Sequence, residues 1–157
     1  MPRKYTSTEG FLRGDPRHEN RLLSKFINSV MHDGKKSTAQ AIVYEALDTV
    51  TERLKDKDPA EVFTTALNNV KPLIQVRSKR VGGATYQVPM EVSRRRAQML
   101  AIRWVLAAAR GKKGRPLARA LADELIAAYN GEGSAMQTRE NVHKMAEANK
   151  AFAHFAW

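Results

Sequence analysis

The 157-residue chain contains no cysteine. Disulfides, thiolate metal sites and thiol nucleophiles are thereby excluded, and the composition fits a reducing compartment. No apolar run reaches the length of about 18 residues that a membrane-spanning helix needs. The start, Met1-Pro2-Arg3-Lys4-Tyr5-Thr6-Ser7, lacks the apolar stretch of a secretory signal. A cytoplasmic protein is expected. Catalytic patterns are equally scarce. His18, His32, His143 and His154 are far apart and form no zinc motif, and no G-x-S-x-G nucleophile elbow occurs. Asp123-Glu124 and Glu45/Asp48 are expected to be solvated carboxylates on helix surfaces. The chain is therefore read as no enzyme, with no cofactor, no metal and no small-molecule substrate.

One more absence organises the rest. Between residues 76 and 119 there are 12 basic side chains and a single acid, Glu91. The whole chain has 27 Lys plus Arg against 16 Asp plus Glu, net +11, and this middle segment alone carries that excess. A surface charged only for solubility would mix the signs. A block of one sign calls for a polyanion: nucleic acid, an anionic membrane, or an acidic protein.

The length suits one domain, 1–157, large enough to build a core. Residues 1–18 show no period and read as a basic arm that orders on a partner. Leu22, Leu23, Phe26, Ile27, Val30 and Met31 fall on one helical face, with Gly34 as the stop. A second helix from about Ser37 buries Val43, Ala46, Leu47, Val50 and Leu54. Asp58-Pro59-Ala60-Glu61 is a strong helix start: Asp58 can cap, Pro59 needs no N–H at the first position, and Glu61 completes a box-like cap. The helix it opens buries Val62, Phe63, Ala66, Leu67 and Val70.

From 73 to 89 the period drops to two. Gln75, Arg77 and Lys79 share one side, Gly82-Gly83 interrupts, and a second β-prone run ends at Pro89, which reads as a hairpin arm. One hairpin is marginal in water, and this one has few large apolar residues near its tip. It is expected to project from the helices and to be steadied by a partner. Helix four runs from about Val92 to Arg110, with Val92, Met99, Ile102, Val105 and Leu106 inward. Pro116 opens helix five, whose stripe is Leu117, Leu121, Ala122, Leu125, Ile126 and Tyr129. Ser134 and Gln137 make a capping box for helix six, which carries Val142, Met145 and Ala146. An aromatic stretch, Phe152 to Trp157, follows. The expected fold is mainly α, a domain of about six helices with a protruding β-hairpin between helices three and four.

The cations have a pattern. Arg94, Arg95 and Arg96 open helix four, and Arg96, Arg103 and Arg110 recur every seven residues, nearly two turns, so they line one side. Cations at a helix N-terminus oppose the macrodipole at a few tenths of a kcal/mol each. A phosphate backbone offsets that cost, because each guanidinium fork engages two oxygens. Arg77, Lys79 and Arg80 add charge on the hairpin. Gly34-Lys35-Lys36 places two ammonium groups at a helix junction. It is no phosphate-binding P-loop, since position 29 is Ser and no strand precedes it. Gly111-Lys112-Lys113-Gly114, followed by Arg115, has the G-x-x-G spacing of a KH clamp but lacks the strands of that fold, and reads as a basic turn touching phosphate. Tyr86 suits base stacking, though packing is the commoner role of a strand tyrosine. A DNA-reading helical regulator fits less well, because helix four has few polar base-reading side chains. A membrane-surface protein would need apolar residues exposed opposite the cations.

Three stretches carry a resemblance: His32-Asp33-Gly34-Lys35-Lys36 with Ala41-Ile42-Val43-Tyr44; Arg80-Val81-Gly82-Gly83-Ala84-Thr85-Tyr86-Gln87-Val88-Pro89; and Arg139-Glu140-Asn141-Val142-His143-Lys144-Met145-Ala146-Glu147-Ala148-Asn149-Lys150-Ala151-Phe152-Ala153-His154. With Ile102-Arg103-Trp104, they make the chain resemble the bacterial type of the small-subunit ribosomal protein seven family from about residue 15 onward. The resemblance implies a primary binder of small-subunit ribosomal RNA that nucleates assembly of the head. It implies a place near the exit-site transfer RNA, with Arg80, Gly82, Gly83 and Tyr86 of the hairpin toward it, and ribosomal proteins nine and eleven as partners. The implied RNA-facing residues are Lys35, Lys36, Arg77, Lys79, Arg80, Arg94, Arg95, Arg96, Lys112 and Lys113, with Arg3 and Lys4 of the arm. Tyr5 to Gly14 departs from the usual arm, and Ala156 stands where the family commonly has Arg.

Overall fold

The computed structural model describes residues 8–155; Arg3, Lys4, Ala156 and Trp157 lie outside the described residues. After a 3-10 turn at Thr8–Phe11 come α1 (Arg21–Val30), α2 (Lys36–Arg53) and α3 (Pro59–Val70). Next are β1 (Ile74–Val81) and β2 (Ala84–Glu91), then α4 (Arg94–Gly111), α5 (Leu117–Tyr129), α6 (Ser134–Ala148) and a 3-10 segment, Lys150–Phe155. The fold is mainly helical, with an antiparallel hairpin between the third and fourth helices, as the sequence pattern requires.

Local chemistry sets the helix starts. The Asn20 side chain accepts the N–H groups of Leu22 and Leu23, which α1 would otherwise leave unpaired. Asp58 caps α3 through Ala60 N–H, with Pro59 in the first position. At α6 the expected capping box is absent. Gly133, at φ 98°, takes the cap position and Ser134 is already helical. The missing acceptor comes from another helix: Glu124 Oε1 accepts the Ala135 N–H at 2.8 Å. Glu124 is only 1% exposed, which corrects its reading as a solvated carboxylate. Pro116 likewise stands one residue before α5 rather than inside it.

The core centres on α5, which packs against α2, α3 and α4. Ala120, Ala122 and Ala128 let those neighbours approach closely, and Leu121 and Leu125 fill the space between. Phe26 of α1 meets Phe63 of α3 edge to face at 5.2 Å between centroids. Met99, expected inward, is not, and Met145 of α6 is open as well. Met99 is 37% exposed and Met145 51%, because alanines (Ala97, Ala101 and Ala109 on α4, Ala135 and Ala146 on α6) take the closest approaches. Apolar spacing marks a stripe but not its edges, and both methionines lie at an edge.

Part of the expected arm is ordered. Asp15, 2% exposed, accepts the N–H groups of Arg17, His18 and Asn20 and the hydroxyl of Tyr44. Arg17 lies over the Tyr44 ring and pairs with Asp48 through both guanidinium nitrogens. The segment leading into α1 is thus fastened to α2 without a partner.

The hairpin runs in register from Ile74 opposite Glu91 to Val81 opposite Ala84, two residues beyond Pro89. Gly82 and Gly83 close it at φ 58° and 86°; two positive φ values in a row match the twist of the flanking strands. Its own chain supplies support. Tyr86 contacts the rings of Phe152 and Phe155, each 5.1 Å away, and Lys79 Nζ donates to the Phe155 carbonyl at 2.7 Å. At the base, the Leu73 N–H donates to His143 Nε2 of α6 at 3.2 Å.

Candidate nucleic-acid interface

The first turn of α4 carries Arg94, Arg95 and Arg96, all exposed, and contains no acid. Arg103 and Arg110 are also exposed, so the seven-residue arginine line lies on the open side of the helix while Leu100, Ala101, Val105 and Ala109 face the core. Three contacts tie this helix to neighbouring segments. Arg96 Nε reaches Gln75 Oε1 at 3.5 Å, the outer limit of a hydrogen bond, and Val92 N–H donates to the Leu73 carbonyl at 3.0 Å. The start of α4 therefore adjoins the base of β1, where Arg77 follows Gln75 on the same side of the strand. At the other end, Arg110 Nη2 donates to the carbonyl of Val30, the last residue of α1, at 3.1 Å. The turn holding Lys35 and Lys36 begins just after. Chain segments up to 80 residues apart so meet α4, the hairpin base at its start and the end of α1 at its other end.

The candidates differ in what they already hold. Arg80, Arg94, Arg103, Lys35, Lys36 and Lys113 are exposed and take no ion-pair or hydrogen-bond partner among the described residues. Lys112 is different: its Nζ lies 3.1 Å from Glu124 Oε2. Arg115 reaches Asp123 at 3.1 Å, and Arg53 reaches the other oxygen of that carboxylate at 2.5 Å. Burial alone would push the Asp123 carboxyl up, but Arg53, together with Lys112 and Arg115, holds it below the ordinary range. Lys79 and Tyr86 face each other across the ladder, on the side that Phe152 and Phe155 cover, whereas Arg80 pairs with Thr85 on the opposite side. Arg77 and Arg95 each have a partner of their own within the molecule.

Acids gather elsewhere. Glu45, Asp48 and Glu52 line an open groove of about 620 Å³ along α2, away from the arginine line of α4. No group of three or more His, Asp or Glu side chains suited to a metal ion occurs among the described residues. No helix among them is long and apolar enough to cross a membrane.

Sequence reasoning missed Glu124, the one buried acid in this region. Its partners Lys112 and Ala135 stand 12 and 11 residues away along the chain, beyond any helical spacing, so no local signal marks it.

Exposed guanidiniums on one helix side, next to the hairpin base, define a helical protein with one strongly basic side. The family model described as ribosomal protein S7p/S5e matches residues 2–150. The chain is 60% identical over 155 residues to a protein of Rhodopirellula baltica named small ribosomal subunit protein uS7, covering 98% of this chain and 99% of that one. Proteins of the same name are similar in Thermotoga petrophila, 57% identical over 143 residues (91% of this chain, 92% of the relative), and in Afipia carboxidovorans, 52% identical over 157 residues with both chains fully covered. The chain belongs to the ribosomal protein S7p/S5e family, whose members are structural constituents of the ribosome and not enzymes.

Proposed function

We propose that this chain is a structural constituent of the small ribosomal subunit in the cytoplasm. In this reading it acts as a single domain, binds small-subunit ribosomal RNA as a primary protein, and nucleates assembly of the head. The observation that carries the reading is the exposed arginine line of α4, which adjoins the hairpin base at one end and the end of α1 at the other, with Lys35 and Lys36 exposed in the segment that follows α1. A folded RNA presents phosphates over a curved surface, which suits such a line better than the regular groove of duplex DNA. Arg94, Arg95, Arg96, Arg103 and Arg110, with Arg77, Lys113 and Arg115, contact phosphate. Lys79 of the hairpin adds to the RNA contacts, and Arg80, Gly82, Gly83 and Tyr86 lie near exit-site transfer RNA. Proteins nine and eleven of the small subunit are its neighbours. The transfer RNA and protein partners rest on the family resemblance alone.

The test is salt dependence. Six to ten phosphate contacts imply a loss of affinity of about a thousand-fold or more between 50 and 200 mM salt. Replacing Arg94, Arg95 and Arg96 with Ala is expected to flatten that slope for a head-domain RNA transcript while the thermal transition stays in place. An unchanged slope, or equal binding to duplex DNA in competition, would count against the reading.

A further inference from the structure

Between Arg103 and Arg110 the arginine line is interrupted by something phosphate does not need. A groove of about 320 Å³ opens there between α4 and α1. Ile102 and Leu106 form its floor, Met99 and Ala107 its exposed rim, and Arg103 and Arg110 also line it. No acidic residue lines it. Met99 is among the few large apolar side chains that the described residues leave open to solvent.

From this geometry we propose that the groove holds one unpaired nucleobase of the bound RNA, with Arg103 and Arg110 taking the flanking phosphates. The inference rests on the RNA-binding reading above and deepens it. A paired helix offers this face only phosphates and riboses, and would leave the apolar floor covered but unfilled. An unstacked base presents a flat apolar face with a phosphate on either side, which is the charge and polarity order of groove and rim. The volume, about 320 Å³, admits one base. Arg110 is already braced by its bond to the Val30 carbonyl, which spends one of its five N–H donors and fixes the guanidinium at one end of the groove. Arg103 has no partner among the described residues and is available at the other. The motif therefore selects RNA with a bulge or an open loop over a perfect duplex.

The experiment uses the full-length protein with Ala107→Leu, which fills the groove from an exposed helical position and leaves every charge in place. Met99→Gln, which makes the rim polar without adding bulk, is the second variant. Each is measured against a head-domain ribosomal RNA transcript and against a fully paired RNA duplex, with chemical probing of the transcript's unpaired bases. The expected result is a loss of about tenfold in affinity for the transcript, with the salt slope and duplex binding unchanged. One unpaired base protected by the unaltered protein should regain reactivity. If both variants bind the transcript as the unaltered protein does, with the same bases protected, the proposal is overturned. The same holds if they bind naked transcript normally but fail only when other ribosomal proteins are added, since the groove then serves a protein. Failure of the unaltered protein to bind the transcript at all would instead sink the RNA-binding reading itself.

Discussion

Lys112 Nζ lies 3.1 Å from Oε2 of Glu124, and the other oxygen of that carboxylate holds the first turn of α6 through Ala135 N–H at 2.8 Å. One buried acid thereby joins α5, the turn before it and the helix after it. Gly133 is part of the arrangement. A Cβ there would stand 2.9 Å from Glu124 Oε1, and the φ of 98° already disfavours any side chain. Within the Gly111-Lys112-Lys113-Gly114 turn the two lysines do different work: one is a counter-ion inside the molecule, the other points to solvent.

Removing one member of this pair leaves the other uncompensated. Glu124→Ala is expected to cost about 3 kcal/mol in denaturant unfolding, and Glu124→Gln less, because an amide oxygen still accepts from Ala135. Adding Lys112→Met to Glu124→Ala should recover part of the loss in a double-mutant cycle. Lys113→Ala should leave stability unchanged and weaken RNA binding.

The Asp15 carboxyl responds to acid. Burial on its own would push it up, but the N–H groups of His18, Asn20 and Arg17 and the Tyr44 hydroxyl hold it below its ordinary value of 3.8. A depressed carboxylate stabilises the fold fully above the unfolded value, and that contribution fades as pH drops through the folded one. Below about pH 4 the protection factors of the His18 and Asn20 amides, relative to their intrinsic rates, should fall, while α5 amides stay protected. Asp15→Asn should show the lowered protection already at pH 7.

His143 works in a milder range. Burial, aided by the charge of Arg139, lowers its pKa from the ordinary 6.5, and Nε2 must be unprotonated to accept from Leu73. The unfolded chain takes up the proton first, so this contribution is complete above about pH 6.5 and is lost as the solution is acidified through the folded value. Between pH 7 and pH 5, the protection factor of the Leu73 amide, relative to its intrinsic exchange rate at each pH, is expected to fall. His143→Gln, whose carbonyl can still accept, should remove the pH response.

Tyr86→Ala removes two ring contacts, each worth about 0.5–1.5 kcal/mol beyond simple burial. Faster exchange along β1 and β2, with α2, α3 and α5 unaffected, is the expected result, and Tyr86→Phe should behave as the unaltered protein. Uniform loss of protection through the core would show that the hairpin is not the separate unit described.

What was legible in the sequence was local. Asp58-Pro59 announced α3 because cap and first-turn proline are neighbours in the chain, and Gly82-Gly83 announced the hairpin for the same reason. The arginine line on α4 followed from its seven-residue repeat. What escaped depended on residues far apart in sequence. Ser134 and Gln137 fit a capping pattern, yet the α6 acceptor is Glu124. Met99 and Met145 fit the apolar period, yet smaller side chains fill the closest contacts. Arg3 and Lys4 lie outside the described residues, and the RNA contacts of the candidate residues follow from charge and placement alone.

The hairpin and its cover are joined by a bond across 76 residues of chain. During synthesis the two strands leave the exit tunnel long before Phe152 and Phe155 exist. The outer part of the arm must then wait, pairing with itself but without its aromatic cover, until residues 152–155 have been made. A nascent chain cut short before Phe152 would hold α1 to α6 yet lack both rings that cover Tyr86, so synthesis past Phe155 is what gives the outer part of the arm its seat.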